Sequence, residues 1–350
     1  MIVFVFTLTS FFSALVLFSA QPFMAKAILP LYGGSPAVWN TAMVFYQGCL
    51  LLGYAYVHVG IRRMGWRNTS LINLALASIA LLLLLPPLLP HDVLPTAEHP
   101  ALSVMHLLTV TIGLPFLLVS CNAPLLQALF ARSSHPDREN PYFLYAASNL
   151  GSMAALLSYP FLIEPLLSVT EQARLWSTGF LVLTLLLAAS VGCLLAAPES
   201  RDDRHAKATT AAAKPANSLS WLLYSALPSA LLLAVTNHIT TDIAAIPLLW
   251  VVPLALYLLT FVIAFSTRGR ELPVSAVATI ASAIVAMTLA SRVVVAPAML
   301  QLTLNLLLLF FVSLTCHLML VRRRPDAEQL TAFYLAMSLG GFLGGVSVSL

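Results

Sequence analysis

The chain carries few charges. Only 9% of its 350 residues are Asp, Glu, Lys or Arg, whereas about a quarter of the residues in a soluble domain are charged. Hydrophobic residues make up 60% of the sequence, and the mean hydropathy is +0.92. Apolar runs near the length that spans a bilayer core recur from end to end. This composition excludes a soluble domain and predicts an all-α polytopic membrane protein.

Signals for catalysis and metal binding are also scarce. The sequence contains no HExxH, GxSxG or Walker pattern, and its glycine cluster, Gly340 to Gly345, lies in an apolar run with no strand before it. That context favours helix packing through two pairs of small residues, Gly340 with Gly344 and Gly341 with Gly345, over phosphate binding. The four cysteines are far apart and form no CxxC, so neither a metal site nor a disulfide framework is expected. No cofactor is expected either.

A basic stripe with interleaved aromatic residues is missing too, which argues against nucleic-acid binding. The histidines His91, His99 and His106 fall near one gap between apolar runs, beside Asp92 and Glu98. Spacing alone leaves two interpretations open there, a solvated loop and a metal site.

What the sequence does contain is a series of apolar segments separated by Gly, Pro and polar breakers. Eleven membrane spans are predicted, and their approximate bounds are 4–25, 37–60, 70–90, 101–130, 142–164, 173–196, 219–236, 243–266, 273–291, 297–321 and 329–350. An odd number of spans that stops inside an apolar run leads us to expect a twelfth span that this chain lacks.

The positive charges alternate between the gaps. Fourteen of the 17 Lys and Arg residues fall in the even-numbered gaps, and only Lys26, Arg174 and Arg292 fall elsewhere. Because cytoplasmic loops carry the excess of Lys and Arg, these gaps are predicted to face the cytoplasm, with the N-terminus inside. The alternative, a signal peptide cleaved near Ala20, fits the small residues there but lacks a positive n-region.

A polar stretch divides the chain into two halves. We predict an N-terminal half of six spans over residues 1–197, a flexible cytoplasmic linker over 198–218 and a C-terminal half over 219–350. Weak internal similarity crosses this linker. An offset of 216 residues carries Ser13 onto Ser229 and Lys26 onto Asp242, and an offset of 190 carries Ser148 onto Ser338.

These offsets pair span 1 with span 7 and span 5 with span 11. Two six-helix halves in parallel orientation require this pairing, which is the major-facilitator pattern. The predicted fold is therefore a major-facilitator-like bundle of two parallel six-helix halves, with eleven spans present and the twelfth missing. The alternative is chance similarity between apolar helices.

Several motifs are more specific than composition. They are Gln21-Pro22-Phe23-Met24-Ala25-Lys26, Gly33-Gly34-Ser35-Pro36, Gly53-Tyr54-Ala55-Tyr56, Pro141-Tyr142-Phe143-Leu144-Tyr145-Ala146-Ala147-Ser148-Asn149, Thr240-Thr241-Asp242 and Phe333-Tyr334-Leu335. Together they resemble the membrane region of bacterial proteins described as fused major-facilitator/spermidine synthase, over essentially the whole chain.

The resemblance implies a transporter-like domain in the bacterial inner (plasma) membrane, linked to polyamine (spermidine) metabolism, with a cationic amine as substrate and a soluble synthase domain as partner. That synthase domain is absent from these residues, so polyamine synthesis cannot be assigned to them. The alternative function is a membrane anchor or scaffold for an aminopropyltransferase domain.

Polar residues at membrane depth are the candidate site, because ionisable groups there are costly and commonly face a bundle interior or an aqueous cavity. The predicted substrate pathway or gate comprises Lys26, Asp242, Gln21, Asn237, His238, Glu164, Gln47 and Asn149. We expect Lys26 and Asp242 to pair across the axis between the halves. Two other interpretations stay open, snorkelling of the charged groups at span ends and hydrogen bonding of the amides between helices.

Overall fold

The computed structural model is a helical bundle, and it describes residues 2–33, 36–84, 100–196, 218–243, 251–266, 269, 271–293, 296–326 and 329–349. The α-helices are α1 Ile2–Tyr32, α2 Pro36–Leu83, α3 Pro100–Leu108, α4 Leu114–Phe130, α5 Phe143–Ser158, α6 Glu164–Leu166, α7 Val169–Leu195, α8 Ser218–His238, α9 Val251–Phe265, α10 Val274–Val293, α11 Ala298–Arg322 and α12 Leu330–Ser349.

Short π-helical segments extend three of these helices. They are Thr109–Gly113 between α3 and α4, Tyr159–Ile163 after α5 and Ile239–Ile243 after α8. A 3-10 turn, Pro136–Glu139, precedes α5. Helix α7 begins with a capping box, in which the Ser168 hydroxyl and the Glu171 side chain bond each other's backbone N–H groups.

Nine of the helical stretches in the described residues are long and apolar enough to cross a membrane, and Val251–Phe265 is a shorter apolar helix. One of the nine contains two predicted spans. Within α2, Gly65 adopts φ 81° and ψ 165°, a conformation that L side chains rarely adopt. The chain folds back at this residue. Two contacts across the turn show this: Tyr56 Oη lies 3.5 Å from the Thr69 carbonyl oxygen, and a Cβ on Gly60 would lie 2.9 Å from Thr69 Cγ2.

Helix α2 is therefore a hairpin of two arms, 36–64 (α2a) and 66–83 (α2b). Each of the eleven predicted spans thus has a helical segment in the structure. The predicted ends differ by several residues, as at α1, which continues to Tyr32 through Pro22 and Pro30.

Helix packing repeats between the two halves. In the N-terminal half α1 packs on α5 and α2 packs on α4, and in the C-terminal half α8 packs on α12 and α9 packs on α11. The halves meet where α5 packs on α9 and where α2 packs on α12. A two-fold axis that exchanges α1 with α8, α2 with α9, α4 with α11 and α5 with α12 relates each of these contacts to its counterpart. The structure therefore has the two parallel halves, whereas the predicted linker, 198–218, lies almost entirely outside the described residues.

Glycines bring the most closely packed helices together. A Cβ on Gly151 of α5 would lie 2.1 Å from the Phe11 carbonyl oxygen of α1. On α12, a Cβ on Gly340 or Gly344 would meet α8 at Ser225 Oγ or the Ala226 carbonyl oxygen, so these two glycines form the predicted small-residue face. The expected second pair does not pack together, because Gly345 faces Gln47 while Gly341 has no atom within 4 Å of such a Cβ.

The arginines of the even-numbered gaps, where described, lie at one end of the bundle, which we call the basic end. They are Arg62, Arg63, Arg67, Arg132, Arg138, Arg322, Arg323 and Arg324. A hydrophobic cluster joins Ile61 and Trp66 beside Gly65 to Phe130 and Leu194, and a second joins Tyr142 to Trp221, Val321 and Leu330. The other two clusters, which include Phe23 and Trp176 in one half and Leu232 and Leu254 in the other, lie farther toward the opposite end.

Candidate functional site

A central cavity of about 210 Å³ lies between the two halves. Seven helices supply its walls, namely α1, α2a, α4 and α5 from one half and α8, α9 and α12 from the other. The polar and aromatic lining residues are Ser13, Phe18, Gln21, Gln47, Tyr54, Ser120, Tyr145, Ser148, Asn149, Ser152, Ser225, Ser229, Tyr257, Phe261, Tyr334, Ser338 and Phe342. Both halves therefore present polar groups to one space at mid-span depth.

Three of the sequence-predicted site residues line this cavity. Gln21 and Asn149 are both 6% exposed, and Gln47 lies on the facing helix α2a. The Asn149 amide nitrogen donates to the Tyr145 carbonyl oxygen at 2.8 Å, one turn back along α5, so its amide oxygen is left as an acceptor. The Gln47 amide oxygen is buried and has no hydrogen-bond partner among the described residues.

The repeat predicted from sequence is visible in the cavity wall. Ser13 and Ser229, which the offset of 216 equates, both line it, and so do Ser148 and Ser338, which the offset of 190 equates. Equivalent residues of parallel halves lie on opposite sides of the axis that relates the halves. The cavity therefore lies on this axis.

Most of the wall hydroxyl groups with a hydrogen bond in the structure donate to backbone carbonyls. Ser120 donates to Phe116, Ser152 to Ser148 and Ser225 to Trp221, each one turn back, at 2.8 to 3.2 Å. Ser229 donates across to the Gly341 carbonyl oxygen at 2.8 Å. A hydroxyl has one proton and two lone pairs, so each of these oxygens keeps only acceptor capacity for another group. These four hydroxyl groups therefore offer hydrogen-bond acceptors in the cavity wall.

None of the described residues that line the cavity is Asp, Glu, Lys, Arg or His. Its electrostatic character therefore comes from amide and hydroxyl dipoles and from aromatic rings, whose faces carry partial negative charge.

Toward the basic end the cavity is closed by aromatic rings, which we call the aromatic floor: Tyr54, Tyr145, Tyr257, Phe261 and Tyr334. Tyr145 of one half contacts Phe261 of the other edge to face, with ring centroids 5.6 Å apart, and lies 5.4 Å from Tyr334. The floor therefore spans the boundary between the halves, and it separates the cavity from the basic end.

Hydrogen bonds between the halves surround this floor. The Tyr142 hydroxyl donates to the Pro325 carbonyl oxygen at 2.7 Å, and the Arg324 guanidinium lies 4.4 Å above the Tyr142 ring. His58 Nδ1 and Thr331 Oγ1 are 2.9 Å apart, and the buried Tyr334 hydroxyl donates to the Gln127 amide oxygen. These contacts, the basic-end clasp, hold the halves together at that end.

Two of the charged residues predicted for the site, Lys26 and Glu164, are not among the residues that line the cavity. Lys26 Nζ donates to the Glu164 carbonyl oxygen at 3.1 Å and lies 4.0 Å from the Glu164 carboxylate. Both residues belong to the N-terminal half, toward the end opposite the basic end. The side chain of Asp242 lies outside the described residues, so its pairing with Lys26 stays a prediction.

The remaining predicted residues, Asn237 and His238, lie in the last turn of α8, just before the π-helical segment Ile239–Ile243. Both are half-buried, and neither is among the described residues that line the cavity.

Some membrane-depth amides bond between helices, as the alternative interpretation expected. Asn73 donates to Asn122 at 3.4 Å and Gln127 accepts from Tyr334. Asn305 instead donates to the Gln301 carbonyl of its own helix. Sequence reasoning missed the serines of the wall and the tyrosines of the floor as site residues, although Tyr54, Tyr145 and Tyr334 belong to the motifs that carry the family resemblance.

Comparison with solved structures identifies the fold. The chain is similar to the proton:xylose symporter XylE of the major facilitator superfamily bound to 6-bromo-6-deoxy-D-glucose, with a TM-score of 0.61, 14% identity, and coverage of 99% of this chain and 87% of that one. A D-xylose-proton symporter structure gives a TM-score of 0.60 at 14% identity, over 100% of this chain and 90% of that one. The partially occluded inward-open xylose transporter XylE from E. coli gives a TM-score of 0.57 at 15% identity, over 99% of this chain and 90% of that one.

No protein-family model and no curated protein sequence matches the chain. At 14 to 15% identity the structural similarity establishes the fold, which is the major-facilitator fold of a multi-pass membrane protein.

Proposed function

We propose that this protein is a secondary transporter that carries a small molecule through the central cavity by rocking its two halves about the axis between them. The observation that carries the proposal is that equivalent polar residues of both halves line one cavity on that axis. In transporters of inverted or parallel repeats, substrates bind at the repeat interface near mid-membrane. In a protein that served only as a membrane anchor, such polar groups would be dispersed and would pair with near neighbours. Their clustering around one cavity therefore argues against the scaffold alternative.

For the substrate we propose a solute rich in hydrogen-bond donors, with a cationic amine first. An ammonium group offers three donors and no acceptor, which complements a wall of acceptor oxygens. The rings of the aromatic floor supply cation–π attraction for the same group. The resemblance to polyamine-linked proteins names the same class.

A neutral polyol is the second candidate. The described cavity wall carries no carboxylate that would neutralise a bound cation, and hydroxyl groups also donate to serine and amide oxygens. The structural neighbours are described as xylose symporters, and xylose, a neutral sugar, carries several hydroxyl groups of this kind.

Uptake into proteoliposomes would test the proposal. The purified chain should concentrate radiolabelled putrescine above protein-free vesicles, and unlabelled spermidine should compete while xylose should not. If xylose competed and spermidine did not, the result would favour the polyol. Uptake of neither class at any imposed proton or potential gradient would count against transport.

Matched asparagines give the control. Asn149 and Asn305 are 6% and 5% exposed, and each donates one turn back to a backbone carbonyl, but only Asn149 lines the cavity. Asn149→Ala should lower uptake by an order of magnitude or more, whereas Asn305→Ala should leave it near the wild-type level. Equal losses would show that the amides matter only for folding.

We also propose that the basic end faces the cytoplasm and that the N-terminus is cytoplasmic, on the strength of the arginines at that end. A single cysteine at Asp203, in the predicted linker, should be labelled only after the inner membrane is permeabilised. Labelling by an impermeant reagent in intact cells would reverse the orientation.

A further inference from the structure

Behind the aromatic floor lies a histidine that the transport proposal does not use. His317 of α11 is completely buried, and its ring stacks on Phe261 with centroids 3.6 Å apart. The Tyr257 ring lies edge-on at 5.3 Å. Phe261 in turn contacts Tyr145 of the other half. A continuous run of ring contacts thus joins His317 to the boundary between the halves.

Hydrogen bonding fixes the neutral form of this histidine. Thr260 Oγ1 lies 2.6 Å from the Tyr257 carbonyl oxygen and 2.8 Å from His317 Nδ1. The threonine hydroxyl has one proton, which the carbonyl takes, so Nδ1 carries the hydrogen that it donates to Oγ1. The other nitrogen, Nε2, is then an unprotonated acceptor, and it is buried with no hydrogen-bond partner among the described residues.

Protonation of Nε2 is unfavourable in this packing, because the cation–π attraction of the stacked Phe261 face is smaller than the cost of burying an unpaired charge. It would create a charged ring whose new N–H finds no acceptor, and burying such a charge without a partner is strongly unfavourable. Beside the ring lie Tyr257 and, on its own helix, Cys316, and a phenol or a thiol carries no negative charge near neutral pH. Of the elements packed against α11, α8 carries Tyr224 and His238, the π-helical segment Ile239–Ile243 carries Asp242, and α10 carries Arg292, while α11 itself carries Arg322 near its end.

We propose that His317 is a buried proton-binding site, and that its protonation releases Phe261 from the aromatic floor and opens the cavity toward the basic end. In the closed form the ring is held neutral. Once the floor opens, water reaches Nε2 and can deliver a proton to the imidazole. The proton therefore favours the open form, and closure is lost as the pH falls. This inference rests on the proposed function only in its assumption that the opening serves transport.

Hydrogen–deuterium exchange of the full chain in lipid nanodiscs would test it without any transport measurement. Between pH 7.5 and 5.5, after correction for intrinsic exchange rates, protection of residues 143–152 and 257–265 should fall several-fold in the wild type. His317→Gln should remove this change. His58→Gln, which alters the histidine of the basic-end clasp, should keep it.

The proposal is overturned if the wild type shows no fall in protection, if His317→Gln keeps the fall, or if His58→Gln removes it. Thr260→Val provides a second variant should His317→Gln not fold. It keeps the imidazole but removes the acceptor of Nδ1–H in the closed form, so the transition should persist with its midpoint moved to higher pH by half a unit or more. An unchanged or lower midpoint would also refute the assignment.

Discussion

Lys26 Nζ donates to the backbone carbonyl oxygen of Glu164 at 3.1 Å, while the carboxylate of the same residue stays 4.0 Å away. The lysine therefore ties α1 mainly to the chain at the end of the Tyr159–Ile163 π-helical segment rather than to a carboxylate. Both side chains are about one-third exposed, so solvent screens the ion pair.

The first prediction separates these two contributions. Lys26→Met should lower the free energy of unfolding by about 1 kcal/mol, since a hydrogen bond from a charged donor is lost in a partly solvated place. Glu164→Gln keeps the backbone carbonyl and should cost clearly less. Thermal unfolding in detergent measures both, and equal losses would mean that the carboxylate is the partner that matters.

The sequence-predicted pair of Lys26 and Asp242 has its own test. If the two charges pair across the axis, the swap Lys26→Asp with Asp242→Lys should be more stable than either single change. A double-mutant cycle measures the coupling between them. A coupling below about 0.5 kcal/mol, the scatter expected for independent sites, would favour snorkelling and remove this gate.

Glycines of α12 provide a matched pair. In Gly344→Ala the new methyl would lie 2.2 Å from the Ala226 carbonyl oxygen, so α8 and α12 must separate, at about 1–3 kcal/mol. Gly341→Ala meets nothing within 4 Å and should change stability little. Chemical or thermal denaturation compares them, and similar stability of both variants would show that α12 does not pack on α8 as described.

The basic-end clasp depends in part on one hydroxyl. Tyr142→Phe removes its donation to the Pro325 carbonyl oxygen but keeps the ring under Arg324. The closed form should lose about 1 kcal/mol relative to the open form, so exchange at residues 143–149 should become several-fold faster. Tyr224→Phe keeps its ring beside Arg323 and serves as the control. Unchanged protection in Tyr142→Phe would indicate that this bond does not hold the halves together.

A second bond across the halves gives a different pattern. Tyr334→Phe leaves the Gln127 amide oxygen buried without the donor it now has, which should cost about 1–3 kcal/mol. Adding Gln127→Leu removes the stranded acceptor as well, and the double variant should recover much of that loss. Unfolding measurements on the two single variants and the double variant would check this, and simple additivity would contradict the direct bond.

Much of the architecture could be predicted because bilayer length and the bias of positive charge act on whole segments rather than single residues. The offsets that equate Ser13 with Ser229 and Ser148 with Ser338 also identified residues that line one cavity. Gln21, Gln47 and Asn149 were found because an amide in an apolar span is conspicuous.

Other site residues gave a weaker signal. Serines such as Ser225 bond their own helix, so serine is common in membrane helices and does not mark a site. His317 was not among the residues predicted for the site, and its meaning depends on Phe261 and Thr260, which lie more than 50 residues away in sequence. Contacts of that kind are fixed by helix packing, and hydropathy does not report them. The sequence also could not show whether Lys26 contacts Asp242 of the other half or Glu164 of its own half.

The reversal at Gly65 has a consequence for biogenesis. With no loop between α2a and α2b, the two arms would enter the bilayer together as one helical hairpin. If the basic end faces the cytoplasm, as proposed, Arg62, Arg63 and Arg67 at the tip of the hairpin hold that tip on the cytoplasmic side for both arms. Removing those charges would therefore invert a pair of spans rather than one. For the same reason this turn is a poor place for a tag or an epitope, since any insertion would separate Gly60 from Thr69.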